Sequence, residues 1–423
     1  MAEFKEYSHE KSRAWFDRAL KVIPSGVYGH QGPSEGLFLP MEKWPLISSR
    51  AKGAYFWDMD DNRYLDLMCA YGPNVLGYND PDIDAAAIAQ LKVENCVTAP
   101  SYKMVECAEL LVDTVACADW AYFMKNGTDA TTFSVLCARA HTGKKKIFFL
   151  EGYYHGNDQW AMKVDYPGIL PEDVANNRVI PWFDLNALQQ AYDACNGDVA
   201  ALIAQPYDHG NFADNRVANR EYWRQVREFC DKHGMLLIID DVRAGFRLDL
   251  AGSDHYYGFK ADIICFCKAL ANGYNMSAAC GGEHLKATAS SLSFTGSYWM
   301  SAVPFAACIA TLNKMKALDT PRLFRENGTK LTEGFKAAAA EHGFELVVSG
   351  EPALFYLRIA NDNSLMLHQE WVAECVSRGL FIASHHNHFL NAAIGPGEIE
   401  LATQIAEDAF AAVAKNHPEI QKG

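Results

Sequence analysis

Two apolar runs, LLIID (Leu236 to Asp240) and ADIICFC (Ala261 to Cys267), set the pattern that the middle of the chain repeats. Each is rich in aliphatic side chains and too short for a buried helix, so each predicts a strand covered on both faces. In all, strands are predicted over Ala121–Met124, Lys145–Leu150, Val199–Gln205, Met235–Asp240, Asp262–Cys267 and Ala278–Gly281. Helical spacing stands between several of them, notably over Ala130–His141 and Arg220–His233. Strand–helix alternation with few hairpin signals predicts a mostly parallel sheet wrapped by helices, an α/β fold.

The ends of the chain read differently. A helix is expected up to about residue 24, where Pro24 and Gly26 stop it. A glycine-rich stretch follows, and aromatic runs then flank Asp60-Asp61-Asn62, a hairpin signal. From about Ala302 the pattern is helical, then mixed (FELVVSG, ALFYLRIA), then helical again. The expected organisation is a segment 1–75 that joins a small domain, a large α/β domain over 76–310, and a small α+β domain over 311–423. No internal repeat and no low-complexity linker interrupts the chain.

Composition narrows the function. Of 423 residues, 38 are basic and 52 acidic, for a net charge of −14. Such a surface attracts neither nucleic-acid phosphates nor anionic lipid, so no nucleic-acid or membrane partner is expected. No apolar run reaches membrane-spanning length, and the N-terminus lacks a secretory h-region. The 12 cysteines are scattered without a CxxC pair. They read as free thiols in a cytoplasmic protein, with Cys265 and Cys267 as small core residues.

The candidate chemistry gathers at predicted strand ends. A crossover between the two opening runs makes them parallel, which puts Asp240, Asp241 and Lys268 on one sheet edge. Ligands bind at that edge in open α/β sheets. The lysine and carboxylate form either a structural ion pair or a site for a carbonyl cofactor held as a Schiff base, with the acid on a ring nitrogen. KNGTDAT (Lys125 to Thr131) lies between a strand and a helix start. There Gly127, Thr128 and free N–H groups have the makings of a phosphate cup, although most such turns are only turns. EGYYHG (Glu151 to Gly156) follows the next strand at the same edge, where an aromatic ring could cover a flat cofactor, although Tyr153 and Tyr154 taken alone read as core or rim residues. His385, His386 and His388 have poor spacing for metal ligands, so no metal is expected and these histidines read as pocket or surface residues.

Taken together, these motifs resemble the class III aminotransferases of the pyridoxal-phosphate fold type I superfamily, nearest within it to the glutamate-1-semialdehyde aminomutase branch. AKGAYFWDMDDNRYLDL, YGPNVLGYNDP, NGTDAT, EGYYHG, IIDDVRAGFR and CKALANGY follow the family's order through most of the chain. The resemblance implies a large domain built on a mostly parallel, seven-stranded type of sheet, plus a smaller α+β domain. It implies pyridoxal 5'-phosphate as cofactor, bound by Lys268 as a Schiff base, with Asp240 on the pyridinium nitrogen. Val242 and Tyr154 would pack on the two ring faces, and Gly127 and Thr128 would hold the phosphate. A hydroxyl from the neighbouring subunit, Ser297 or second to it Thr295, implies a homodimer with shared active sites.

The implied reaction is amino transfer between a small-molecule amine donor and a carbonyl acceptor, by a ping-pong mechanism. An intramolecular aminomutase is the alternative, and a catalytically silent cofactor-fold protein a remote one. The sequence departs from the family at Asn126, Gln205, Asp241 and Arg243. The segment around Tyr28 to His30 also lacks the arginine with which many relatives bind a substrate carboxylate. Strand alternation past Val242 turns Arg243 away from the ring, and Arg247 reads as structural. A pocket lined by Tyr28, Tyr71, Trp299 and His385–His388 is therefore expected to favour an apolar or carboxylate-free amine.

Overall fold

A computed structural model describes residues 7–27 and 43–418. The chain folds as two compact units, one from residues 81–210 and 216–321, the other from residues 1–80, 211–215 and 322–423 as far as they are described.

The second of these units opens with the helix Glu10–Ala19, which ends five residues before Pro24 in a series of turns. Strands β1 (Ser48–Lys52), β2 (Tyr55–Asp58) and β3 (Arg63–Asp66) then run antiparallel. The β2–β3 turn is held by Asp58, whose Oδ1 accepts the backbone N–H groups of Asp60 at 2.9 Å and Asn62 at 3.0 Å. That local acceptor is why an Asp-rich tripeptide reverses the chain here.

The other unit is organised on one sheet. Its strands are β4 (Trp120–Met124), β5 (Lys146–Leu150), β6 (Asn177–Ile180), β7 (Val199–Ala204), β8 (Leu236–Asp240), β9 (Ile263–Phe266) and β10 (Ser277–Gly281). They stand in the order β4-β10-β9-β8-β7-β5-β6, with β10 antiparallel to both neighbours and every other pair parallel. β7, β8 and β9 are buried along their whole length, which is why their sequences run apolar without alternation. β6 escapes the sequence reading because, as a half-exposed edge strand with the sequence NRVI, it carries little apolar signal. β8 and β9 pair with Asp240 opposite Cys265, so Asp240 and the residues after Phe266 leave the sheet at the same edge. The helix Gly127–Thr142 starts three residues before the apolar spacing suggests, and its Ala130, Phe133, Cys137 and Ala138 pack into the sheet core.

In the remaining chain, β11 (Leu346–Glu351), β12 (Leu354–Ile359) and β14 (His388–Phe389) form a three-stranded sheet, while β13 (Leu380–Phe381) adds in parallel to β3. The helices Met366–Ser377 and Pro396–Asn416 pack together, with Trp371 stacked on Phe410 at 4.7 Å between ring centroids. Among the described residues no helix is long and apolar enough to cross a membrane.

Candidate active site

The carboxyl ends of β4, β5, β8 and β9 each deliver a polar group. Asp240 closes β8 and is buried at 4 % exposure. A buried carboxylate needs partners. It has two: the Nδ1 of His155 lies 2.7 Å from Oδ2, and the Val242 N–H donates to Oδ1 at 3.2 Å. A carboxylate oxygen can only accept, so His155 donates from Nδ1, which fixes its tautomer and leaves Nε2 buried without a partner among the described residues. His155 lies inside EGYYHG, where attention to the aromatic pair passes it over. The signal was available, since an imidazole after one strand end can brace a carboxylate at another.

Lys268 follows β9 at φ +35°, a left-handed conformation uncommon for a side-chain-bearing residue. Burial, and next the positive charge of Arg243, push its amine down to about 7, with Asp240 pulling weakly the other way. A lysine in that state is a nucleophile near neutral pH.

The cup lies at the start of the helix Gly127–Thr142. Asn126 is extended, and Asp129 Oδ2 accepts the N–H groups of Asn126 at 2.8 Å and Lys125 at 3.2 Å, which ties the loop to the first helical turn. A Cβ on Gly127 would stand 3.0 Å from Val242 Cγ1, so glycine there lets the cup close against the turn that carries Val242. Thr128 Oγ1 accepts the Asn157 N–H at 3.0 Å, leaving its proton to donate elsewhere. Gly156, at φ +106°, packs against Thr128 where no side chain would fit. Tyr154 is half-exposed, with its hydroxyl donating to Asn157 at 2.9 Å. These residues supply an anion cradle, a carboxylate, a desolvated amine and an aromatic face in one unit of the fold, a donor set that fits pyridoxal phosphate.

Other expected residues fall elsewhere. Ser297 and Thr295 are exposed on the loop after the helix Glu283–Ser291. The Ser297 carbonyl accepts the Cys96 thiol at 3.6 Å, and among the described residues no hydrogen bond ties the serine to the cup of its own chain. Strand alternation is the ground for expecting Arg243 to turn away from the ring. The strand ends at Asp240, so alternation does not reach it; it sits in a turn, buried, and its charge is felt at Lys268, Asp240 and Tyr154. Its Nη1 donates to the His209 carbonyl at 2.8 Å. Arg247 is fully buried and donates to the Arg243 carbonyl at 3.3 Å. Asp241 is buried on Ser253, whose hydroxyl and N–H donate at 2.5 and 3.0 Å.

In the other unit, His385, His386 and His388 are all buried, and only His388 belongs to a strand. They are therefore not surface residues. His386 meets Tyr71 edge-on at 5.4 Å, and His388 stacks on Phe355 at 5.4 Å. Trp299 packs on Phe294 at 5.2 Å in the sheet-bearing unit, and Tyr28 lies outside the described residues. Among the described residues no group of three or more His, Cys, Asp or Glu side chains is arranged to hold a metal ion.

Comparison with known proteins decides the family, because the aminotransferase class-III family matches residues 40–394. The chain belongs to the class III aminotransferases. It is 39% identical over 405 residues to an aminopentol aminotransferase of Sphingopyxis macrogoltabida, covering 96% of this chain and 95% of that one. A glutamate-1-semialdehyde 2,1-aminomutase of Desulforamulus reducens matches at 28% identity over 96% of this chain and 99% of its own length. The FumI protein of Sphingopyxis sp. MTA144, solved in its PLP internal aldimine form, superposes with a TM-score of 0.93 at 38% identity, covering 97% of this chain and all of that one. This class III aminotransferase is thus a pyridoxal-phosphate-dependent enzyme of fold type I that moves an amino group between an amine and a carbonyl acceptor.

Proposed function

We propose that Lys268, Asp240 and the Gly127–Thr128 cup are the working parts of this aminotransferase, and that its donor is an amine without a carboxylate beside the reacting carbon. The observation that carries the reading is the desolvated Lys268 amine at the same sheet edge as the buried Asp240–His155 pair. When bound, pyridoxal phosphate supplies an aldehyde that takes up the amino group and an electron-poor ring that accepts the electron pair from the substrate carbon. Lys268 would hold the cofactor and would carry the proton at its Nζ. Asp240 would pair with the ring nitrogen, and His155 fixes the direction of that carboxylate. Gly127 and Thr128 would offer N–H and hydroxyl donors to the phosphate, while Val242 and Tyr154 would confine the ring.

The donor class rests on two points. The Arg243 guanidinium is already committed to the His209 carbonyl, and the 39% identical relative is named for an aminopentol, an amine bearing hydroxyls. A homodimer sharing its sites is favoured by apolar side chains left in water on two neighbouring stretches, Ile88, Leu91 and Val93 on one and Tyr102 and Val105 on the other, together with Tyr298 at 71% exposure beside Ser297. Free cysteines at all 12 positions favour a reducing compartment such as the cytoplasm.

The test is a donor and acceptor screen that follows the bound cofactor's absorbance through each half-reaction, with specificity constants for an amino acid and for the amine left by its decarboxylation. The amine is expected to win. A strong preference for the amino acid, lost in Arg243→Ala with cofactor binding intact, would overturn the donor assignment. Turnover without a separate acceptor would favour the aminomutase reading.

A further inference from the structure

His209 follows β7 and is 2 % exposed, yet neither of its ring nitrogens has a hydrogen-bond partner on any other described residue. Two unsatisfied polar atoms in a buried side chain cost stability, and native proteins keep such groups where something else completes them. The surroundings indicate what that is. The imidazole stands edge-on to Tyr207 at 4.9 Å, its own backbone carbonyl is held by Arg243, and it is close enough to Lys268 to feel that amine's charge. Burial first, and then Arg243, drive its pKa well below the ordinary histidine range, although its own carbonyl pulls the other way. The ring is neutral, with one donor and one acceptor to offer.

We propose that His209 is a cofactor-binding residue that hydrogen-bonds the phenolic oxygen of pyridoxal phosphate. This rests on the functional reading above and extends it by elimination. Pyridoxal phosphate carries four polar groups: the phosphate, the ring nitrogen, the aldehyde and the phenolic oxygen. The cup, Asp240 and Lys268 account for the first three. The fourth is an acidic hydroxyl next to the aldehyde, so it is met on the Lys268 side of the ring. A neutral imidazole N–H backed by a fixed guanidinium suits an oxygen that carries negative charge. The sequence gives no hint of the role, because QPYDHGN offers one histidine in a loop with no pattern around it.

The experiment compares apo and cofactor-loaded protein for wild type, His209→Leu and His209→Gln, by thermal melting and by equilibrium titration with pyridoxal phosphate. Removing two unsatisfied atoms predicts that apo His209→Leu melts at or above wild type, while its affinity for the cofactor falls at least tenfold and the melting gain on loading shrinks accordingly. His209→Gln keeps one donor and one acceptor and is expected to bind within threefold of wild type. Cofactor affinity of the leucine variant within twofold of wild type overturns the assignment. So does a lowered apo melting temperature in both variants with affinity unchanged, since that marks a structural histidine. A wild type that gains nothing from the cofactor would overturn the underlying reading instead, which separates the two failures.

Discussion

Lys268 and Asp240 meet burial differently. Desolvation lowers the lysine towards neutrality and makes it a nucleophile, whereas the buried carboxylate accepts hydrogen bonds from His155 and the Val242 N–H. The lysine gives a pH prediction with a definite sign. Only the neutral amine attacks an aldehyde, so capture of pyridoxal phosphate by the apoprotein rises with pH through about 7 and levels off above it. A midpoint near that of an ordinary lysine, about 10, would contradict the burial argument. For the carboxylate, Asp240→Asn keeps the shape and loses the charge, and should slow turnover about 10²–10³-fold with the fold intact. A variant within tenfold of wild type would mean that another group serves the ring. Both residues were legible in the sequence because each ends an apolar run. His155 and Arg243 were not, since one lay within an aromatic motif and the other beyond the point where strand alternation applies.

At the scale of elements, continuous apolar runs were the reliable signal. β7, β8 and β9 are buried on both faces and fall within a residue or two of where their sequences put them. The start of the helix Gly127–Thr142 was harder, because its first turn is polar: it is tied down by backbone N–H groups and Asp129 rather than by packing. That anchoring is testable. Asp129→Ala releases two N–H groups and should cost about 1 kcal/mol of stability, with weaker cofactor binding because the cup loosens. Urea midpoints and cofactor titration measure both, and a variant unchanged in each would deny Asp129 this role.

At the scale of the whole molecule, stability carries its own pH dependence. His368 and His388 are fully buried, and burial holds them at about 4 and about 3. An unfolded chain protonates both near 6.5, so below that pH the unfolded state binds more protons and stability falls, down to the folded values. At about 1.4 kcal/mol per unit, the loss between pH 6.5 and 4 is about 3 kcal/mol for each histidine. His368→Leu should flatten this slope in urea titrations at pH 7 and pH 5, and an unchanged slope would place the acid sensitivity elsewhere. The central claim, that this fold carries its cofactor on Lys268, has a more direct test. A second lysine, Lys125, lies beside the cup with its amine also pushed down by burial, to about 8, so depressed basicity alone does not choose between them. Borohydride reduction of the pyridoxal-phosphate-loaded protein, followed by peptide mass spectrometry, identifies the linked residue. A single modified lysine, Lys268, is expected, with no linkage in Lys268→Ala; modification at Lys125 with Lys268 left free would contradict a cofactor held on Lys268.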